Sequence, residues 1–380
     1  MGCIYQQNCG GCCFRDKTQE EYQNLKEQKI KGILSAGLKE CNYNWNTPVF
    51  LPDGTRRRAA LAFMRTKNGL VLGFNENHSN VIADCAQCLM LTPKINSALP
   101  ALREFLTELT AVKTVKKLKG KKTIVSSLNK GDVLILEADN GLDIVLEADT
   151  ELTLDSRMAI FDYVNNDANI IRFSFRSKPD EQAEPVVEKL KPIIKIGGFD
   201  IYVAAGTFLQ ASKVGQDALT SLVVQYIGDT KGKIADLFCG IGTFSYPLAE
   251  NKENKITASD SSEALLIGFK TSLNAHMLNN VKIEKRNLFK YPFTASELKG
   301  FNAVVFDPPR AGAAAQVGEL AKIEQAEKPE KVVAVSCNPH SFVNDANVLL
   351  SGGFELKEVT MVDQFVYSNH TELVALFTKK

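Results

Sequence analysis

Three apolar runs, each closing on a turn built from glycine, proline or cysteine, constrain this chain more than any other feature. They are Ile234-Ala-Asp-Leu-Phe-Cys-Gly-Ile-Gly242, Ala303-Val-Val-Phe306 followed by Asp307-Pro-Pro-Arg-Ala-Gly312, and Val332-Val-Ala-Val335 followed by Ser336-Cys-Asn-Pro339. A short run without polar alternation suits a strand covered on both faces, as in a parallel sheet. From Ile194 onward such strands alternate with helical stretches, which predicts a Rossmann-like doubly wound α/β domain. In that architecture ligands sit beyond the carboxyl ends of the strands, so the three turns are the places to look for chemistry.

Cys337 follows an apolar strand and precedes a helix predicted from His340 to Leu350, with Pro339 at its start. A thiol at a helix amino end meets unsatisfied N–H groups and the positive end of the dipole, so its pKa is expected to fall. The alternative for a lone cysteine is a small buried apolar residue. The Gly240-x-Gly242 turn, with Asp260 closing the next strand, fits a nucleoside: glycines admit close backbone approach and the carboxylate accepts from ribose hydroxyls. Ser245 stands where a dinucleotide fingerprint has its third glycine, which argues against a pyrophosphate. The two prolines after Asp307 fix a rigid loop whose carboxylate can face a base. Glu372, entering the last apolar strand, is either an exposed edge residue or a general base whose pKa burial raises.

A second signal lies at the other end. Cys3, Cys9 and Cys12 surround a Gly-Gly pair, and Cys85 and Cys88 follow downstream. Four converging thiolates hold zinc or an iron-sulfur cluster. The zinc arrangement would use Cys9, Cys12, Cys85 and Cys88, although the gap between those pairs far exceeds that of zinc ribbons. Disulfides are disfavoured, because no secretory signal pattern precedes them. No run of eighteen or more apolar residues predicts a membrane span, and the composition suits a cytoplasmic enzyme. Net charge is +1, so any nucleic-acid contact must come from patches such as Arg56-Arg57-Arg58 or the lysine-rich run 113–122. Solvated faces are the alternative for both.

Taken together, Phe208-Leu-Gln210, Asp236 to Phe244, Asp307 to Gly312, Ser336 to Pro339 and His370-x-Glu372 resemble, in this order, the RNA (uracil-5-)-methyltransferases that use S-adenosylmethionine. The resemblance implies that Gln210, Phe238, Thr243, Asp260, Asn287 and Asp307 surround the methyl donor and target base. It further implies that Cys337 is the nucleophile and Glu372 the proton abstractor. Carbon 5 of uracil is a poor nucleophile until thiolate addition at carbon 6 creates an enolate, and its hydrogen must leave as a proton before the thiolate can be expelled. The target nucleotide must be flipped from its stack for this. Ser212, Thr243, Asp260, Val366 and Ser368 depart from the usual pattern. A subset of the family opens with Cys-x5-Cys-Gly-Gly-Cys, similar to Cys3, Cys9, Cys12 and Cys88 here, and its members carry a [4Fe-4S] cluster. Cys13, Cys41 and Cys85 would be extras, with Cys85 able to replace Cys88. The cluster-bearing branch implies 23S ribosomal RNA as substrate, with transfer RNA as the alternative. Arg56, Arg58 and Ala59 are similar to a basic family element expected to meet RNA.

The organisation expected is residues 1–193 as an α+β iron-sulfur and RNA-binding domain and 194–380 as the methyltransferase domain, in a monomer. Thr18-x-x-Glu21 is a capping-box pattern opening a helix with Tyr22, Leu25, Ile30, Ile33 and Leu34 on its apolar positions. The stretch 177–192 reads as a linker. Two rivals remain: a non-catalytic iron-sulfur RNA-binding protein on the same fold, and an amino-group methyltransferase, whose loop resembles Asp-Pro-Pro-Arg but which needs no thiol.

Overall fold

The computed structural model describes residues 2–77, 79–118, 121–126 and 128–380, and it divides into two units that the chain enters by turns. The first comprises residues 1–16, 52–194 and 203–212, the second 17–51, 195–202 and 213–380. The observed division differs from the expected boundary at 193/194 for residues 17–51, which join the second unit, and for residues 194 and 203–212, which join the first. The physical reason is visible in the helix Gln19–Gly37, capped by the reciprocal Thr18–Glu21 box: Ile30 and Leu34 join the core formed by Val332, Phe342, Val343 and Phe354. The strands Asn44–Trp45 and Val49–Phe50 pair in parallel with Phe354–Asp363.

The second unit is doubly wound. Its sheet runs in the order Asn44–Trp45, Phe354–Asp363, Glu372–Lys379, Lys331–Ser336, Ala303–Phe306, Lys233–Leu237, Lys255–Asp260, Val281–Lys285. All pairings are parallel except those of Glu372–Lys379, which runs against both neighbours. The apolar runs are buried on both faces as expected; all four residues of Ala303–Phe306 are inaccessible. The chain leaves Val281–Lys285 to reach Ala303–Phe306 on the other side of Lys233–Leu237, so the strand order reverses between those two strands.

The first unit carries a seven-stranded sheet, ordered Glu184–Glu188, Ile170–Arg176, Gly141–Glu147, Lys130–Ala138, Arg58–Thr66, Gly69–Asn75, Ile82–Asp84. Ala59, Leu61 and Phe63 alternate inward on Arg58–Thr66 and meet the helix Pro93–Leu109 through Leu99, Leu102 and Leu106. The stretch expected as a linker instead supplies the edge strand Glu184–Glu188, antiparallel to Ile170–Arg176. Part of the lysine run forms the hairpin Lys113–Leu118 with Lys121–Ser126, while Lys119 and Gly120 lie outside the described residues. Among the described residues no helix is long and apolar enough to cross a membrane.

One ion pair dominates the polar interior of this unit. Arg172, fully buried, donates from Nε to Asp143 Oδ1 at 2.8 Å and from Nη2 to Asp143 Oδ2 at 2.7 Å, and also reaches the Val203 carbonyl at 3.0 Å. Breaking such a pair from one side strands a buried charge. Arg172→Met should therefore lower unfolding free energy by about 3–5 kcal/mol, and Arg172→Met with Asp143→Leu should recover most of it. Urea melts of the two variants measure this, and equal losses would contradict it.

Candidate active site

Topology assembles the site before any side chain is considered. Strands Lys233–Leu237, Ala303–Phe306, Lys331–Ser336 and Phe354–Asp363 end on one edge of the sheet, and the reversed strand begins there, with Leu373 opposite Ser336 and Glu372 opposite Val362. Phe238, Asp307, Cys337 and Glu372 are consequently gathered along that edge, with the strand-order reversal between the first two.

The turn after Lys233–Leu237 is shaped for a ligand. Phe238 has φ +59°, a left-handed conformation unusual outside glycine, and Gly240 and Gly242 follow at +56° and +88°. A Cβ on Gly242 would stand 2.3 Å from the Phe269 ring, so only glycine lets the helix Glu263–Ala275 approach. Asp260 accepts from the Gly240 N–H at 3.0 Å and from the Ser262 N–H at 2.8 Å, which fixes its carboxylate at the turn. Ser245 explains the missing third glycine: its hydroxyl donates to the buried Asp236 at 2.5 Å. Burial still pushes Asp236 up to about 7. Thr243 is half-buried just before the helix that Ser245 opens. Asn287 accepts from the N–H groups of Phe289 and Lys290 at 3.1 and 3.2 Å, and the turn so formed sets the Phe289 ring 5.4 Å from that of Phe238. Phe289 and Tyr291 are exposed aromatics that the sequence reading missed; their position two and four residues past Asn287 was the available signal.

Cys337 lies between the Asp307 loop and Glu372. Asn338, capping the helix Pro339–Ser351 through a bond from the His340 N–H, also donates from Nδ2 to the Arg310 carbonyl at 3.1 Å. The Cys337 turn and the Asp-Pro-Pro-Arg loop are thereby tied. The loop is held further on by Asp345, whose Oδ2 accepts from the Ala313 N–H at 2.7 Å, where Gly312 at φ +80° leaves it room. Arg310 Nη2 lies 3.1 Å from His370 Nε2.

Electrostatics overturn the expectation of a low thiol pKa. Burial, then the charges of Glu372 and Asp307, push Cys337 up to about 11, outweighing Arg310. The helix terminus is present, but burial and two neighbouring carboxyls act against it. Burial lifts Asp307 to about 7. Burial and then the Asp307 charge lift Glu372 to about 8, against the bond that Gln364 Nε2 donates to its Oε1 at 2.9 Å. Gln364 is a partner that sequence reasoning did not single out. Two raised carboxyls thus stand beside a raised thiol.

The remaining sequence-derived residues belong to the first unit. Gln210 lies in the 203–212 segment, which the arginine triplet braces. Arg57 Nε donates to the Gln210 carbonyl at 3.2 Å and Arg58 Nη1 to the Leu209 carbonyl at 3.1 Å, with the Arg58 guanidinium 4.6 Å above the Phe208 ring. Arg57 is buried and Arg56 and Arg58 are half-buried, so this element braces the segment 203–212. Cys3, Cys9, Cys12, Cys85 and Cys88 line one pocket. Cys9 and Cys85 are in hydrogen-bond contact, which chiefly holds the Cys9 thiol down to about 6. Among the described residues no group of three or more His, Cys, Asp or Glu side chains stands at metal-holding geometry.

Fold and site together define a methyltransferase of the doubly wound class. The crystal structure of Pyrococcus abyssi tRNA (uracil-54, C5)-methyltransferase with S-adenosyl-L-homocysteine shares the fold at a TM-score of 0.72, with 23% identity, covering 97% of this chain and 86% of that one. Residues 56–380 match the family model for tRNA (uracil-5-)-methyltransferase, and the chain belongs to that family and is an RNA (uracil-5-)-methyltransferase. An uncharacterized RNA methyltransferase of Agrobacterium fabrum is 35% identical over 98% of this chain and 82% of its own length. The 23S rRNA (uracil(1939)-C(5))-methyltransferase RlmD of Erwinia tasmaniensis is 28% identical over 100% and 82%.

A thiol raised to about 11 yields more thiolate only as pH climbs. At pH 7 about one Cys337 in ten thousand is ionised, so alkylation of Cys337 by iodoacetamide in the free enzyme should be slow and should rise about tenfold per pH unit between 7 and 10. Glu372→Gln removes one of the charges opposing ionisation and should shift that profile to lower pH. An unchanged profile would show that Glu372 does not act on the thiol.

Proposed function

We propose that this enzyme methylates carbon 5 of a uridine in 23S ribosomal RNA, with S-adenosylmethionine as donor and a covalent Cys337–uracil intermediate. The observation that carries this is the meeting of Cys337, Asp307 and Glu372 on one sheet edge, a nucleophile and two raised carboxyls in a water-poor setting. The Gly240–Gly242 turn and the fixed Asp260 carboxylate fit the nucleoside of the donor, with Phe238, Thr243, Asn287 and Gln210 as further contacts. When bound, the donor supplies an electrophilic methyl.

In this reading Cys337 first gives up its thiol proton to solvent; the thiolate sulfur bonds to carbon 6 and the ring π electrons shift to the enolate oxygen, where Asp307 in its protonated form can hold the developing charge. Carbon 5 then takes the methyl, and the pair of the broken carbon–sulfonium bond stays on the donor sulfur. Glu372 removes the proton from carbon 5; that electron pair rebuilds the 5,6 double bond and expels the Cys337 thiolate. A carboxylate with a pKa near 8 is matched to this task at neutral pH. Ribosomal over transfer RNA is favoured by the RlmD relative, which spans the whole chain, and the protein is taken to act as a cytoplasmic monomer. Methylation of 23S rRNA but not tRNA transcripts in vitro is expected; the reverse preference would overturn the substrate assignment.

Five thiols around one pocket fit a thiophilic group, and Cys3, Cys9, Cys12 and Cys88 would hold a [4Fe-4S] cluster, which would cross-link residues 3–12 to residue 88 within the first unit. Anaerobically purified protein should contain about four irons per chain, as one cubane requires. Cys88→Ser should lose them while Cys13→Ser keeps them; one zinc per chain, or loss only in Cys85→Ser, would refute this ligand set.

The division of labour predicts different failures for the two catalytic substitutions. Cys337→Ala should bind RNA without linking to it. Glu372→Gln should add, transfer the methyl and stall, leaving a methylated protein–RNA adduct on a denaturing gel. Free 5-methyluridine at the wild-type rate from Glu372→Gln would assign proton removal to another group.

A further inference from the structure

Glu372 is reached through a loop with an unusual anchor. Residues 364–371 leave the strand Phe354–Asp363 and return as Glu372–Lys379, so Asp363 and Glu372 are the two feet of one excursion, with Val362 paired to Glu372. The anchor comes from the helix Gln19–Gly37, more than three hundred residues earlier. Lys26 donates from Nζ to Asp363 Oδ1, to the Tyr22 hydroxyl at 3.0 Å and to the His370 carbonyl at 2.6 Å. Tyr22 in turn donates to Asp363 Oδ2 at 2.5 Å, and its ring lies 4.5 Å from that of Tyr367. Lys29 reaches Asn369 Oδ1 at 2.8 Å. Tyr22, Lys26 and Lys29 stand at i, i+4 and i+7, one face of the helix.

Lys26 and Asp363 are 2% and 0% exposed. Burying such a pair seldom stabilises a fold more than apolar side chains of similar volume would, so packing alone does not call for it. A directional charged cluster does supply something packing cannot, which is a defined course for the backbone it bonds. Here that backbone includes Tyr367, held at φ +60°, and the carbonyl of His370, two residues before the base. We propose that Lys26 and Tyr22 are positioning residues for proton abstraction: they hold the 364–371 loop so that Glu372 meets the hydrogen on carbon 5. This rests on Glu372 being the base.

The test separates a positioning role from a structural one by asking which step fails. Lys26→Met and Tyr22→Phe are compared with Glu372→Gln in single turnover on an RNA substrate, with thermal melts and RNA binding alongside. Expected is a methylated covalent adduct in Lys26→Met, resolving about 10–100-fold more slowly than in the wild-type enzyme, the loss typical of removing an orienting partner, with RNA affinity unchanged. Tyr22→Phe, which keeps the ammonium, should show a smaller delay of the same kind, and it decides the matter if Lys26→Met does not fold. Adduct in Glu372→Gln but none in a folded Lys26→Met or Tyr22→Phe overturns the positioning role alone. Absence of adduct from Glu372→Gln overturns the base assignment, and the inference with it.

Discussion

One reversed strand makes the active site possible. A wholly parallel sheet would bring only strand ends, each followed by its own turn, to the ligand edge. Because Glu372–Lys379 runs the other way between Lys331–Ser336 and Phe354–Asp363, a strand beginning stands beside two strand endings. Ladder pairing of Leu373 with Ser336 then sets residues 372 and 337 beside each other at backbone precision. Backbone hydrogen bonds, not long side chains, set that spacing.

The same edge concentrates acid groups. Burial lifts Asp236, Asp307 and Glu372 towards or above neutrality, and the Asp307 charge adds to the lift of Asp236 and Glu372. Burial of Cys337, with the charges of Glu372 and Asp307 beside it, favours the protonated thiol, the form less open to oxidation and alkylation. Arg310 pulls in the opposite direction on both Cys337 and Glu372 while lying beside His370, so it stands among the groups that set the balance.

Much of this was legible in the sequence. The apolar runs gave away the parallel strands, the turn residues the glycine-rich loop, and Thr18 with Glu21 the start of the first long helix, because each depends on local chemistry. What was hidden depends on partners distant in the chain. Gln364 becomes informative only once the strands Phe354–Asp363 and Glu372–Lys379 are paired, and Lys26 reads as an ordinary surface lysine until Asp363 is beside it. The arginine triplet shows the same dependence: charge alone suggests a polyanion, while the fold also has Arg57 and Arg58 each giving a donor to the carbonyls of 209–210. Cys337 shows that a helix terminus sets a pKa only where burial and neighbouring carboxylates do not outweigh it.

The interleaving of the units has a consequence for synthesis. On a ribosome the segment 17–51 emerges early, but the strand it pairs with, Phe354–Asp363, comes more than three hundred residues later. For the time that takes, the apolar face of Tyr22, Ile30 and Leu34 has no native partner, while residues 52–194 can already collapse on their own core. The helix Gln19–Gly37 can therefore complete its packing only once Phe354–Asp363 has been synthesised.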